Sequence, residues 1–232
     1  MTIIERALTL IPQEAVIGLG SGRASQAFVR ALGAQVTSGT LRVRGVPTSE
    51  DTAALAREVG IPLIELSEAG VLDLTVDGAD EVDPQLNLIK GYGRALVREK
   101  IVAASSRQMV ILVGQEKMVP QLGSRGKLPV EIVPFALPLC QRRLAELGCL
   151  PTLWVKDDRP QTTDNGNFIL DCEVQPISNP VQLESDILAV PGVVGTGLFL
   201  GMASVVLVGE DKTLRLTEER KRSAEGNRHL RG

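Results

Sequence analysis

The sequence has little of several residue types on which common functions depend. Aromatic residues make up 3% of the 232 residues, so no stacking platform for single-stranded nucleic acid is available. The formal net charge of −3 also argues against nucleic acid, because binding to a phosphate backbone needs a positive field. The three cysteines form no CxxC pair, so neither a disulfide framework nor a zinc ribbon is predicted.

The chain has one histidine, His229, in a polar C-terminal segment. Ser/His/Asp and Cys/His nucleophile arrangements are therefore excluded, and any chemistry must use carboxylates, lysines and backbone amides. No apolar run approaches the ~18 residues of a membrane span. Glu5 and Arg6 lie where a signal peptide would be apolar. We expect a cytoplasmic protein that binds neither membranes nor nucleic acid.

Apolar, strand-like runs alternate with helix-like segments through the first half of the chain. Val16–Gly20 precedes Ser25–Leu32, Leu41–Val46 precedes Asp51–Val59, and Ile61–Leu66 is a further apolar run. Because these strands have no polar face, they predict a parallel sheet that helices cover on both sides. The pattern is that of a doubly wound α/β domain.

A different pattern follows in the second half, where the elements read strand, helix, strand, strand, helix, strand. The sequence DNGN at Asp164–Asn167 predicts a hairpin turn, since Asn and Gly tolerate positive φ. This order indicates a small α+β domain inserted into the first. The predicted division is residues 1–127 and 201–217 for the α/β domain, 128–200 for the small domain, and 218–232 for a charged, flexible tail.

A glycine-rich segment, GLGSGRA at Gly18–Ala24, lies between a predicted strand and a predicted helix. Glycines let the backbone approach a ligand, and a helix N-terminus presents N–H groups and a positive dipole to an anion. A phosphate would fit there. The spacing is not that of a dinucleotide fingerprint, and a tight turn that needs only small residues explains the segment equally well.

Four carboxylates occur within seven residues of the sequence DGADEVD, which begins at Asp77 and follows an apolar strand. In open α/β sheets, ligands bind beyond the carboxyl ends of the strands, where Asp77 and Asp80 would project. A solvated acidic loop or a divalent-cation site would also account for the segment, although it lacks the EF-hand spacing.

The segment KGYGRALVREK, from Lys90 to Lys100, opens a helix that carries Glu99. A carboxylate on an apolar helix stripe is either an awkward surface residue or a buried acid with a raised pKa, as a general base requires. The helix neighbours of Glu99 three and four residues away are all apolar: Ala95, Leu96, Val102 and Ala103.

Lys117, after another strand, is either a surface lysine or a further group at the same sheet edge.

The motifs become specific when they are taken together. In chain order they are GLGSG from Gly18, VDGADE from Val76, KG from Lys90 with REKI from Arg98, LPVE from Leu128, DNGN from Asp164 and PGVV from Pro191. This order resembles that of ribose-5-phosphate isomerase, type A, over about Glu14 to Gly209. The resemblance implies a Rossmann-like, mostly parallel sheet and a small ferredoxin-like domain, usually in a homodimer or a dimer of dimers.

The resemblance further implies an aldose–ketose isomerase without metal or cofactor, which interconverts D-ribose 5-phosphate and D-ribulose 5-phosphate in the pentose phosphate pathway. Glu99 matches the base that moves a proton between C1 and C2, and Lys90 matches the group that stabilises the enediolate. Asp77 and Asp80 match the residues that serve the opening of the sugar ring and the movement of hydroxyl protons. The matching substrate-contact residues are Ser21, Gly22, Arg23, Ala24, Asp77, Gly78, Ala79, Asp80, Lys90, Gly91, Tyr92, Gly93 and Lys117.

Two segments depart from the usual pattern of that family. Its TGST is SGRA here, which loses two hydroxyl donors and gains the Arg23 guanidinium. Because arginine binds phosphate bidentately, we expect Arg23 to replace the lost hydrogen bonds. The usual glycine run after Lys90 contains Tyr92 and Arg94, which add bulk and charge.

Other functions on the same scaffold are weaker interpretations. A non-catalytic sugar-phosphate-sensing module would not need Asp77, Asp80, Lys90 and Glu99 together, and no helix-turn-helix segment indicates a regulator. An amino-sugar phosphate deaminase would need a histidine base, for which the sequence has no candidate. A CoA transferase would need its own glutamate motif, which is not found.

Overall fold

The computed structural model describes residues 1–210 and 214–221. The helices in these residues are α1 (Ile3–Leu8), α2 (Arg23–Thr37), α3 (Glu50–Glu58), α4 (Leu66–Ala69), α5 (Leu96–Ala104), α6 (Leu137–Glu146) and α7 (Pro180–Leu188). The strands are β1 (Glu14–Leu19), β2 (Arg42–Pro47), β3 (Leu74–Gly78), β4 (Glu81–Val82), β5 (Leu88–Ile89), β6 (Met109–Gly114), β7 (Lys127–Ile132), β8 (Leu150–Leu153), β9 (Val155–Lys156), β10 (Arg159–Pro160), β11 (Phe168–Glu173), β12 (Val193–Thr196), β13 (Leu198–Phe199), β14 (Val205–Gly209) and β15 (Leu216–Lys221). No helix in this part of the chain is long and apolar enough to cross a lipid bilayer.

The chain forms two compact units. The first comprises residues 1–79, 98–118 and the described residues from Gly201 onward, and the second comprises residues 80–97 and 119–200. The division differs from the predicted boundary at residue 127, because residues 80–97 and 119–127 group with the second unit. The reason is strand pairing: β5 pairs with β4 and with β13, and β7 already begins at Lys127.

A six-stranded sheet forms the centre of the first unit, in the order β15-β14-β6-β3-β1-β2. The pairs among β14, β6, β3, β1 and β2 are parallel, and only β15 is antiparallel to its neighbour. β6 and β14 are buried along almost their whole length, as expected for strands with apolar side chains on both faces. The predicted mostly parallel, doubly wound sheet is confirmed, and the strand order reverses at β1.

Two predictions in the first unit differ from the structure. Ile61–Leu66 is not a strand: Leu63 makes an isolated bridge to Gly45, and α4 begins at Leu66. Pro62 has no N–H group, which limits the pairing there. Glu218–Lys221, assigned to a tail, complete β15, where Arg6 Nε lies 2.7 Å from Glu219 Oε2. The rest of the predicted tail, residues 222–232 with His229, lies outside the described residues.

The second unit contains a four-stranded antiparallel sheet in the order β12-β7-β11-β8, with α6 after β7 and α7 after β11. The chain order of strand, helix, two strands, helix and strand is the predicted ferredoxin-like one. Its core is built from aliphatic and cysteine side chains, among them Val130, Cys140, Leu144 and Leu170, all fully buried. A small three-stranded sheet, β13-β5-β4, completes this unit.

The DNGN segment forms a turn, but the turn does not join two strands that pair with each other. Gly166 has φ +75° and donates its N–H to the carbonyl of Thr163 (2.8 Å). β10 pairs with β9, whereas β11 pairs with β7 and β8. The side-chain amides of Asn165 and Asn167 donate to the buried Glu131 of β7 (3.0 and 2.9 Å), which fixes the turn to the sheet.

Candidate active site

The residues predicted from the sequence form two groups, one in each unit, and the groups adjoin in the chain at Ala79–Asp80. The first unit carries Ser21, Gly22, Arg23, Ala24, Asp77, Gly78, Ala79, Glu99 and Lys117. The second unit carries Asp80, Lys90, Gly91, Tyr92 and Gly93.

In the first unit, the sheet brings three of the predicted segments to one edge. β1, β3 and β6 are adjacent and parallel, so their carboxyl ends meet there. The glycine segment follows β1, Gly78 and Ala79 follow Asp77 at the end of β3, and Lys117 closes a 3₁₀ turn after β6. This is the edge at which open α/β sheets bind ligands.

Asp77 is the fully buried anchor of this edge. Its Oδ1 atom accepts hydrogen bonds from the N–H of Gly78 (2.8 Å), the N–H of Ser21 (3.0 Å) and the hydroxyl of Ser25 (3.1 Å). Because the last two donors lie in the glycine segment and at the start of α2, the carboxylate holds that segment against the end of β3.

The close approach of the glycine segment to β3 depends on Gly20. Its N–H donates to the carbonyl of Val76 (3.0 Å). A Cβ atom at this position would lie 2.6 Å from the Cα of Asp77 and would overlap the Asp77 carboxylate. Real Cβ atoms essentially never approach so closely, so any other residue at position 20 must displace Asp77.

We therefore expect Gly20→Ala to lower the free energy of unfolding by about 1–3 kcal/mol, the usual cost of overpacking a buried position. The value of kcat/KM should fall as well, because Asp77 moves. Urea denaturation measures the first effect. Gly93→Ala is the matched control for stability, since a Cβ there meets no atom within 4 Å. Equal stability of the two variants would contradict the tight contact.

A hydroxyl cluster beside Ser21 was missed by the sequence analysis. The Ser21 hydroxyl lies 2.7 Å from the hydroxyl of Thr48 and 3.0 Å from that of Ser49. Ser49 is also the N-cap of α3, where its side chain accepts from the N–H of Thr52. The signal was available, because Thr48 and Ser49 follow β2, which neighbours β1 in the sheet.

The N-terminus of α2 follows the glycine segment directly. Its N-cap is Gly22, with φ +86°, which has no side chain to cap the helix. The first N–H groups of a helix have no acceptor within the helix, so this 15-residue helix offers them to a bound anion. Arg23 is the first helical residue and is exposed, and Ala24 is partly buried.

Glu99 lies in α5 and is 4% exposed, so of the two alternatives for this carboxylate it is the buried acid and not a surface residue. Its apolar helix neighbours are buried as well: Ala95, Leu96, Val102 and Ala103. A carboxylate that is shielded from water in this way can act as a general base toward a substrate carbon.

In the second unit, Lys90 directly follows β5 and is 3% exposed. Its N–H donates to the carbonyl of Gly197 (2.9 Å), and its Nζ lies 5.4 Å from the ring centre of Phe199 on β13. A Cβ at position 197 would overlap the carbonyl of Lys90, so the backbones of Lys90 and Gly197 are in close contact. A buried ammonium held in this way can stabilise a negative charge that forms beside it.

Asp80 is positioned by the same small sheet. Its N–H donates to the carbonyl of Ile89 (2.8 Å), and its Oδ2 accepts the N–H of Tyr92 (3.0 Å). Gly91, between Lys90 and Tyr92, has φ +111°, a conformation that favours glycine. The structure therefore brings Asp80, Gly91 and Tyr92 together around the Lys90 loop.

Glu81 is a buried carboxylate to which the sequence analysis gave no role of its own. It accepts the N–H of Gly123 (2.7 Å) and the N–H of Arg125 (2.8 Å) and so fixes the turn before β7. Burial raises the pKa of Glu81 against the opposing effect of these hydrogen bonds.

No group of three or more His, Cys, Asp or Glu side chains that could hold a metal ion occurs within residues 1–210 and 214–221.

This chain is similar to known proteins of one family. A family model described as Ribose 5-phosphate isomerase A (phosphoriboisomerase A) matches residues 44–213. The ribose-5-phosphate isomerase A of Roseiflexus castenholzii is 52% identical over 215 residues, which cover 91% of this chain and 92% of the relative.

Solved structures of ribose 5-phosphate isomerases have the same fold. Ribose 5-phosphate isomerase A of Methanocaldococcus jannaschii matches with a TM-score of 0.88 and 37% identity, over 95% of this chain and 96% of that chain. A D-ribose-5-phosphate isomerase in complex with phospho-erythronic acid matches with a TM-score of 0.89 and 36% identity, over 94% of this chain and 96% of that chain. This chain therefore belongs to the ribose 5-phosphate isomerase A family.

Proposed function

We propose that this protein interconverts D-ribose 5-phosphate and D-ribulose 5-phosphate by proton transfer through an enediolate, without a metal or redox cofactor. The observation that carries the proposal is the burial of Glu99 on the apolar face of α5, in a chain 52% identical to a ribose-5-phosphate isomerase A. The comparisons give no support to a non-catalytic sensing module.

The reaction needs a base and a group that stabilises an oxyanion. A proton next to a carbonyl is only weakly acidic, so it must be removed while the enediolate charge is held. Glu99 takes the proton from one carbon and returns it to the other, and Lys90 stabilises the charge on oxygen. Each contribution is expected to be on the order of 10²–10³ in rate.

Asp77 and Asp80 serve the steps that move hydroxyl protons. The sugar is mostly a closed ring, and opening it requires a proton to leave one hydroxyl group. Asp80, whose Oδ2 is already a hydrogen-bond acceptor for the N–H of Tyr92, is assigned to this transfer. Asp77 supports the same chemistry and also holds the glycine segment in place.

The phosphate group of the substrate is assigned to the N-terminus of α2. Gly22 leaves the first N–H groups of the helix for an anion, and Ser21, Arg23 and Lys117 add polar and positive groups at this edge. The phosphorylated sugar acid bound to the related isomerase is a ligand of the same chemical class.

If Arg23 binds the phosphate, Arg23→Ala should raise KM for ribose 5-phosphate about 10-fold and leave kcat within about two-fold, the loss typical of one charge-assisted hydrogen bond. Steady-state kinetics at fixed ionic strength measures this split. Arg30→Ala on the same helix is the matched control, because Arg30 pairs only with the exposed Glu58 among the contacts described. An unchanged KM would remove Arg23 from the site.

The function itself is tested by assaying the purified protein on ribose 5-phosphate with EDTA present. We expect ribulose 5-phosphate to form at the same rate with and without EDTA. Turnover of other phosphosugars but not of ribose 5-phosphate would show that the named substrate is wrong. Loss of activity in EDTA would contradict the metal-free mechanism.

Assembly and location are further parts of this proposal. We expect a homodimer or a dimer of dimers, which light scattering after size exclusion would measure, and a cytoplasmic location. Both expectations rest on the family to which the chain belongs.

A further inference from the structure

The Lys90 loop ends in a residue with a strained backbone. Arg94 has φ +70° and donates its N–H to the carbonyl of Gly91 (3.0 Å), which closes a turn over Gly91–Arg94. A side chain with a Cβ atom is disfavoured in this left-handed conformation, and such strain persists only where the surrounding contacts determine it. Contacts of Arg94 with its surroundings must therefore maintain this conformation.

The Arg94 guanidinium is held by a two-fold hydrogen bond and by an aromatic ring. Its Nη1 and Nη2 donate to the two carboxylate oxygens of Asp171 on β11 (2.7 and 2.9 Å), and its Cζ atom lies 4.7 Å from the ring centre of Trp154. The two charged side chains are only 19% and 22% exposed. A bidentate pair that is partly shielded from water orders a loop far better than an exposed ion pair does.

Asp171 also binds a second cation. Lys127 Nζ lies 3.1 Å from Asp171 Oδ2. Burial by itself raises the pKa of Asp171, but the hydrogen bonds and charges of Arg94 and Lys127 outweigh it and lower that pKa. The carboxylate is therefore kept charged between its two partners.

Lys127 in turn holds Tyr92. Its ammonium lies 4.5 Å from the centre of the Tyr92 ring, and the Tyr92 hydroxyl donates to the backbone carbonyl of Lys127 (3.3 Å). The same Tyr92 donates its N–H to Oδ2 of Asp80. The network thus runs from Asp171 through Arg94 and Lys127 to the residue that holds the Asp80 carboxylate.

We propose that Arg94, Asp171 and Lys127 are positioning residues, which fix the loop from Lys90 to Arg94 so that the Tyr92 N–H holds the Asp80 carboxylate in place. The proposal deepens the proposed function and rests on it. It gives a role to the two positions at which this chain departs from a glycine run. It also assigns the Tyr92 side chain to support of the loop, where the family resemblance assigned it to substrate contact.

The test compares Arg94→Ala and Arg94→Gly with Arg143→Ala, a control that breaks an exposed ion pair in the same unit. Both Arg94 variants should lose about 10-fold in kcat with KM within about two-fold, because the reacting groups are misplaced. In hydrogen exchange, the amide of Tyr92 should exchange about 10-fold faster in both. Arg143→Ala should match the wild type in every measurement.

The comparison of Gly with Ala separates positioning from stability. Arg94→Gly relieves the backbone strain, so its melting temperature should exceed that of Arg94→Ala, while its kcat should be no higher because the loop is freed. Asp171→Asn should lower kcat as Arg94→Ala does, and the double variant should be no worse than either. Arg94→Lys should recover part of kcat.

Two results would overturn the inference. One is a wild-type kcat in Arg94→Gly with an unchanged exchange rate of the Tyr92 amide. The other is a kcat that follows the melting temperature across the variants, since that ranking indicates a merely structural role. If the wild type itself does not isomerise ribose 5-phosphate, the proposed function fails, and the Tyr92 exchange rate still decides whether Arg94 orders the loop.

Discussion

Glu99→Gln is expected to lower kcat for isomerisation of ribose 5-phosphate by about 10³-fold, within the range for loss of a general base. Glutamine keeps the size of the buried side chain and removes its ability to accept the carbon-bound proton. KM should change little, because Glu99 acts on the reacting carbons and does not bind the phosphate. The loss corresponds to about 4 kcal/mol in activation free energy.

The same variant should keep the wild-type fold, because glutamine fills the same space as glutamate at this position, which is only 4% exposed. Circular dichroism during heating measures this. Glu68→Gln, an exposed position on α4, is the control for the chemical change and should leave both kcat and stability unchanged. Near-full activity of Glu99→Gln would show that another group is the base.

Lys90→Met should have the second largest effect, a fall of about 10²–10³-fold in kcat. Methionine matches the length and apolar stem of lysine and can pack on the Phe199 ring, but it lacks the ammonium that holds the enediolate charge. Because that charge exists mainly in the transition state, the loss should fall on kcat more than on KM.

The control for this variant is Lys156→Met, on the exposed strand β9 of the same unit. It makes the same chemical change outside the loop and should retain wild-type kinetics. If Lys90→Met kept kcat within about two-fold while its fold was intact, the role of Lys90 in charge stabilisation would be wrong.

Much of the fold could be predicted from local patterns. In the parallel sheet, β6 and β14 are apolar on both faces and are buried along almost their whole length. The ferredoxin-like order of the second unit could also be predicted, because its strands and helices follow one another in the order that the local sequence patterns indicate. The short strands β4, β5 and β13 could not, because two residues carry no periodicity and the pairing of β13 with β5 joins positions about a hundred residues apart in the chain.

The burial and the contacts of the candidate site residues could be predicted only in part. The apolar helix neighbours of Glu99 leave a surface residue and a buried acid as alternatives, and the structure shows that the side chain is buried. The three hydrogen bonds on Asp77 Oδ1 depend on how closely β1 and β3 approach, which only the packed sheet defines. The pairing of Arg94 with Asp171 joins positions 77 residues apart, and no local pattern announces it.

The central claim is that Glu99 exchanges a proton with the substrate carbons, and proton NMR of the reaction in deuterium oxide with EDTA tests it most directly. With wild-type protein at equilibrium, we expect the one hydrogen that moves between C2 of the aldose and C1 of the ketose to be replaced by deuterium over repeated turnovers, and we expect no replacement with Glu99→Gln over the same time. Interconversion of the two sugars by the wild type without any replacement, or replacement by Glu99→Gln at the wild-type rate, would contradict the account.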